Sequence, residues 1–179
     1  MLRRPWYRLD SEPPSRWRWS AFSEPRYRFD SASGAFRVRY AGDAQRVAMR
    51  ERFDDEGRIV SVDHLRLYLV ELRAAVRVLD LRRDRNLDVL DLDDQINTSR
   101  APVVWGTGQR LADKVHSWYG DRCGGIVYRS RTMPQRSANL ALFAHAPLTA
   151  RKIGRLGDQT GLLSACVLAD GFSVEGWQI

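Results

Sequence analysis

In the segment "AQRVAMRE", Glu51 follows Ala44, Val47 and Ala48 at i, i+3, i+4 and i+7, the spacing of one helix face. A carboxylate on an apolar stripe is expected to be buried, where it needs a cationic partner or a task. Three other places set polar groups among aromatics. "WYR" holds Tyr7 and Arg8, "RYRFD" with the following "RVRY" holds Arg28 and Tyr40, and "YRSR" runs out of a strand-like stretch at Ser130 and Arg131. Taken singly, each has an ordinary explanation: a structural ion pair for Glu51, a snorkelling arginine for Arg8, a solvated one for Arg28, a loop serine for Ser130. Taken together they describe a pocket for an anionic, aromatic ligand. A carboxylate beside a sugar stabilises an oxocarbenium-like transition state. Arginines clamp a pyrophosphate through paired hydrogen bonds, and tyrosine rings stack on planar bases. A nicotinamide dinucleotide would use all of these groups. Ser130 reads as a hydrogen-bonding group, not a nucleophile, because no histidine lies nearby in sequence to activate it.

These residues need elements to hold them. "FRVRYA" alternates Phe36, Val38 and Tyr40 against Arg37 and Arg39, the period of a half-buried strand. Asp43 is placed to cap a helix over 44–53, with Gly57 just beyond its end. On that helix Arg46 and Arg50 fall outside the stripe and are expected to be solvated or partner-facing, while Arg52 at its edge could pair with Glu51. Strands are expected over 65–73 and 75–81, with one long helix as the rival reading. An acid-rich helix follows over 86–97, and a clearer one over 107–119 with Leu111, Val115 and Trp118 on one face. Residues 124–130 and 138–145 read as buried strands, joined by the loop "RTMPQRS". A strand near 149–153 and a helix from Thr160 complete the chain. Pro13, Pro14 and Pro25 exclude a long helix near the start. Strands and helices mix without regular alternation, so the fold class is α+β.

The 179 residues suit one domain, spanning 1–179, with its motifs at about 6–145 and a final strand and helix in 149–179. A chain of this length buries roughly 70% of its unfolded surface and needs no disulfide or metal. Cys123 and Cys166 match no zinc or redox spacing and are expected to be small buried hydrophobes. His64, His116 and His145 are scattered, so no metal is expected. There is no nucleotide-binding glycine loop, zinc-protease, lipase or kinase signature. No apolar run spans a bilayer and "MLRRPWYRLD" lacks the apolar core of a secretory signal, so a cytoplasmic protein without membrane contact is expected. Net charge is +7 and nearly all of it is arginine, Lys114 and Lys152 being the only lysines. A solvated arginine-rich surface, a nucleic-acid surface and an anionic pocket or partner all fit that charge.

The motifs resemble the RES-domain family, in the family's order, from Trp6 to Phe143. "WYR", "RYRFD", "RVRYAGD" and "AMRE" are followed by "GGIVYRSR" and "NLALF", and the last two are the most specific. The resemblance implies a fold like that of diphtheria-toxin-type ADP-ribosyltransferases. It also implies a toxin that cleaves the nicotinamide–ribose bond of NAD by hydrolysis, phosphorolysis or ADP-ribosyl transfer. By position, Arg8 or Arg28 matches the family arginine, Glu51 its glutamate, Ser130 its serine and Tyr40 a tyrosine of the NAD pocket. Glu51, Arg28 and Ser130 are then expected to be catalytic, and Arg8, Tyr7, Tyr40, Arg131 and Asn139 to bind NAD, with both Arg8 and Arg28 lining the pocket. NAD is a consumed substrate, and no cofactor is implied. The implied partner is an antitoxin of helix-turn-helix type, assembled with the toxin in an oligomer, so that nucleic acid is met only through it. The chain departs from the family where "RTMPQRSAN" replaces a glycine-rich loop. A basic nucleic-acid-binding module and an inactive, partner-binding relative are the alternatives.

Overall fold

The computed structural model describes residues 2, 4–19, 24–133 and 137–176. Nine strands, β1 (Trp6–Asp10), β2 (Val38–Gly42), β3 (Ile59–Val60), β4 (Tyr68–Arg73), β5 (Leu79–Asp80), β6 (Gly125–Arg129), β7 (Ala138–Phe143), β8 (Thr149–Arg155) and β9 (Ser173–Val174), are present among them. Five helices accompany them: α1 (Gln45–Phe53), α2 (Asp84–Val89), α3 (Gln95–Thr98), α4 (Pro102–Tyr119) and α5 (Thr160–Asp170). Seven strands form a mixed sheet in the order β5-β6-β7-β2-β1-β4-β8, and β3 pairs with β9 in a separate ribbon. This is the expected α+β class, with helices flanking a mixed sheet.

One sheet face carries a single apolar cluster that includes Trp6, Val70, Leu72, Val127, Leu140 and Leu142. The opposite face is divided. Over β5, β6, β7 and β2 lies a core of Phe29, Leu81, Leu111, Val115, Ile126 and Phe143. Over β1, β4 and β8 lies a second, with Leu9, Met49, Phe53, Leu69, Leu163 and Cys166. The seam is between β1 and β2, which are paired only at Tyr7 and Gly42, whereas β1 runs alongside β4 for its full length. The sheet therefore splits along its middle, and the split is what makes room for a site.

Several expectations change in physical detail. Ala44, in an extended conformation, is the residue before α1, and Asp43 gives it no side-chain cap; its carboxylate pairs instead with Arg4. The segment 86–97 is two short helices, α2 and α3, broken at Asp91, which has positive φ. α4 starts five residues early because Pro102 fits the first helical position, where no N–H is needed. Its buried face is Gly108, Leu111, Ala112 and Val115, so Trp118 points to solvent instead of extending the stripe. Of the strand expected over 75–81 only β5 pairs, and β1, unannounced by alternation, is central. Both cysteines are free and buried, as expected. Among the described residues no helix is long and apolar enough to cross a membrane. Part of the loop after Arg131, residues 134–136, lies outside the described residues.

Candidate active site

The seam opens into a cleft of about 280 Å³. Its floor is one row of the sheet: Tyr128 on β6 faces Asn139 on β7, Asn139 faces Gly42 on β2, and Gly42 faces Tyr7 on β1. Directly opposed residues in a sheet share a face, so the row presents two phenols and an amide side by side. Gly42 is the gap in the row. A Cβ there would come within 2.8 Å of Val47, so its absence lets α1 settle onto the strand. α1 leaves β2 directly and carries Glu51 along one wall, and Asn97 and Trp105, from α3 and α4, line the other.

Glu51 is not buried as its stripe suggests. Val47, Ala48, Met49 and Phe53 fill the core side of α1, while Glu51 is exposed to the cleft. The stripe is real, but one turn past Val47 it meets the seam, where no core exists. The carboxylate is held from behind. Ser130 Oγ donates to Glu51 Oε1 at 2.7 Å and Thr132 Oγ1 donates to the same oxygen at 3.1 Å. Ser130 is fully buried and accepts in turn from the Met133 N–H at 3.2 Å. It touches the carboxylate and does not line the cleft. The expected partner of Glu51, Arg52, pairs instead with Glu56 one turn on. Arg46 and Arg50 are not free either, because both donate to Asp170 at the end of α5.

Both early arginines line the cleft. Arg28 is 7% exposed and its guanidinium donates to the carbonyls of Gln95, Ile96 and Ser99 at 3.2, 2.7 and 2.7 Å. Those carbonyls belong to the end of α3, where a helix leaves acceptors unsatisfied and favours a cation. Arg8 lies at the seam, donating to the Tyr40 carbonyl at 3.2 Å, which the split leaves without a β1 partner, and pairing with Asp10 at 2.9 Å. Burial lowers the pKa of both arginines, Arg28 further through the nearby Arg131. Arg131 pairs with Asp55 at 3.2 Å. The Tyr40 hydroxyl donates to Asp30 and accepts from the Phe29 N–H, so only its ring is free; burial and Asp30 push its pKa far up. Tyr128 is likewise raised, by burial and by Glu51. Asn139 is 3% exposed and neither amide atom has a well-formed hydrogen bond, although its side chain interacts with the Tyr128 hydroxyl across the strands.

The structure thus gathers Tyr7, Arg8, Arg28, Tyr40, Glu51, Arg131 and Asn139 at one cleft, with Ser130 behind it. Sequence reading missed Tyr27, Asn97, Trp105 and Tyr128. Tyr128 had a signal, since it stands two before Ser130 on a strand and so shares its face. Gly108 is a second hidden determinant: a Cβ there would lie 2.4 Å from the Arg28 carbonyl oxygen. We expect Gly108→Ala to shift Arg28 off the α3 carbonyls and to cost about 1–3 kcal/mol of stability, measurable by urea denaturation. Among the described residues no cluster of His, Cys, Asp and Glu could hold a metal ion.

A split mixed sheet with a carboxylate, arginines and tyrosines at its seam carries the motifs in the order noted above, and the chain belongs to the RES domain family, whose model matches residues 5–161. Among solved structures it is similar to a chain of the M. tuberculosis MbcT–MbcA toxin–antitoxin complex, with a TM-score of 0.61 and 14% identity, over 90% of this chain and 89% of that one. At that identity the likeness is one of fold. No curated protein matches.

Proposed function

We propose that this chain is an NAD-consuming toxin that breaks the nicotinamide–ribose bond, and that a cognate antitoxin neutralises it. The observation that carries the reading is the Glu51 carboxylate, open to the cleft yet fixed by two hydroxyls. Such a group is pre-oriented toward a centre that becomes positive, and it need not reorganise as the bond breaks. In this reading Glu51 stabilises the oxocarbenium-like ribose as nicotinamide leaves. Arg28 and Arg8, with Arg131, offset the diphosphate charge. The rings of Tyr7 and Tyr40 pack the nicotinamide or its ribose, and the Asn139 amide hydrogen-bonds the ligand. Ser130 is a positioning residue: its hydroxyl keeps the carboxylate aimed. Water, phosphate or a protein group accepts the ADP-ribose. The likeness to a chain of a toxin–antitoxin complex supports the antitoxin partner, and family membership supports the substrate. A fold of the ADP-ribosyltransferase type belongs to the same proposal.

The direct test is to incubate purified protein with NAD and quantify free nicotinamide. Release supports the reading, and its absence in the presence of phosphate and of a cell extract as acceptors sinks it. Ser130→Ala should then lower kcat about 10- to 100-fold with KM little changed, because it removes one hydrogen bond to a charged group, worth about 1.5–3 kcal/mol. Thr132 keeps the second bond, so activity should not vanish.

A further inference from the structure

We infer that a second, basic groove beside β8 binds the phosphate backbone of single-stranded nucleic acid, independently of the cleft. β8 is an edge strand of the sheet. A turn at Pro14–Arg16 packs beside it, and the two enclose a groove with Tyr68 at its base. Among the described residues, Arg16, Arg151, Lys152 and Arg155 line the groove and no carboxylate does. Many arginines elsewhere find acids, as in Arg58–Asp54, Arg82–Asp80 and Arg129–Asp84, while others such as Arg28 and Arg122 donate to backbone carbonyls. Here only Arg151 does, sharing Glu71 with Arg73. Lys152 and Arg155 lie 5.9 and 5.1 Å from the Tyr68 ring, a contact that parks a cation without neutralising it. The Arg155 guanidinium otherwise donates to neutral oxygens, Tyr68 Oη at 3.3 Å and the Arg66 carbonyl at 3.5 Å, while its backbone N–H donates to Asp158.

Cations on an edge strand also block strand-to-strand aggregation, which accounts for Arg151 and Lys152. It does not account for Arg16, which reaches the same groove from a different part of the chain. What favours nucleic acid over an acidic peptide is the continuation of the Pro14–Arg16 turn. There the Arg39 guanidinium lies 4.0 Å from the Trp17 ring and 4.3 Å from the Trp19 ring, and Trp19 remains 41% exposed. The Arg39 strand, β2, lies three strands from β8, roughly 14 Å at the spacing of paired strands, so an exposed aromatic face there is a base-stacking platform within reach of a strand bound along the groove. A peptide carboxylate has no use for it. Against the expectation that nucleic acid is met only through a partner, the chain itself supplies the surface.

The test is fluorescence anisotropy with a fluorescein-labelled 20-nucleotide single-stranded DNA, and the same sequence as RNA, over 50–200 mM salt. Contact with about four phosphates gives a log–log slope of about −3, or an affinity loss of about fifty-fold across that range. The triple variant Arg16→Ala, Lys152→Ala, Arg155→Ala should weaken binding more than tenfold at low salt and bring the slope to about −1, with wild-type circular dichroism and melting. A control variant with the same charge loss elsewhere, Arg77→Ala, Arg85→Ala, Arg122→Ala, should bind like wild type, as should Glu51→Gln. Trp19→Ala should weaken binding to both oligonucleotides. Equal binding by wild type and the groove variant overturns the inference, as does equal weakening by the control. Poly-glutamate competing as well as the oligonucleotide, with Trp19→Ala without effect, assigns the groove to an acidic peptide and overturns it too.

Discussion

Glu51→Gln should reduce NAD cleavage by about 10²–10³-fold in kcat while leaving the protein folded and able to bind NAD. The size follows from losing a pre-oriented charge at a developing cation, worth about 3–4 kcal/mol where single electrostatic groups have been removed from active sites. The amide keeps the volume and accepts from Ser130 through its oxygen, so the hydroxyl pair behind it survives. It loses only the negative charge. A kcat effect without a matching KM effect is the signature of an interaction made in the transition state. Nicotinamide release for kcat and equilibrium NAD binding for affinity separate the two. A variant that releases nicotinamide at the wild-type rate would falsify the role of Glu51, and one that no longer binds NAD would make Glu51 a binding residue instead. The same pair of measurements on Ser130→Ala should give a smaller kcat effect, because that residue acts through Glu51.

Tyr40, Glu51 and Ser130 could be singled out from the sequence because each sits in a short motif whose local pattern survives folding. Tyr40 lies on an alternating strand, Glu51 lies on a helix begun three residues after Gly42, and Ser130 leaves a buried strand. Their arrangement was not legible. The seam between β1 and β2 depends on how far two strands distant in sequence stay paired, and no alternation within either strand encodes that. Without the seam, the stripe on α1 reads as fully buried and Glu51 goes to the wrong environment. The contact from Ser130 to Glu51 spans 79 positions, and the carbonyls that hold Arg28 lie 67 to 71 positions away. Trp105 and Asn97 reach the cleft from helices whose pattern reports only which side is apolar.

The arginines teach the same lesson from the other direction. Composition left three explanations open for the net charge of +7, and the structure divides the cations into populations. Arg8 and Arg28 are desolvated at the cleft, and Arg46 and Arg50 are bound into the scaffold. Arg16, Lys152 and Arg155 line the groove beside the edge strand, where no carboxylate joins them among the described residues. A basic balance therefore has no single cause here, and the cleft accounts for only part of it.

Asp170→Ala should destabilise the protein by about 3 kcal/mol, more than any other change proposed outside the cleft. The Asp170 carboxylate is 2% exposed and receives Arg46 Nε at 2.7 Å, Arg46 Nη2 at 2.8 Å and Arg50 Nη1 at 3.2 Å. Removing one partner of a buried ion pair leaves charge uncompensated and costs about 3–5 kcal/mol. The lower end applies because the Arg46 side chain, 39% exposed, still reaches water. The hydrogen bonds from Arg46, with the charge of Arg50, hold the Asp170 pKa below the ordinary carboxylate value. A depressed folded-state pKa contributes stability that is complete above the unfolded value of about 3.9 and is lost as pH falls through the folded one. The wild-type advantage over Asp170→Ala, read as a urea midpoint, should be constant near neutrality and shrink below about pH 4. An advantage that persists unchanged to pH 2 would remove Asp170 as its source. Ser130 and Thr132 hold Glu51 independently of α5, so the folded fraction of Asp170→Ala should keep nicotinamide release within a few-fold of wild type. A loss of activity as deep as that of Glu51→Gln would instead mean that the tie between α1 and α5 sets the aim of the carboxylate.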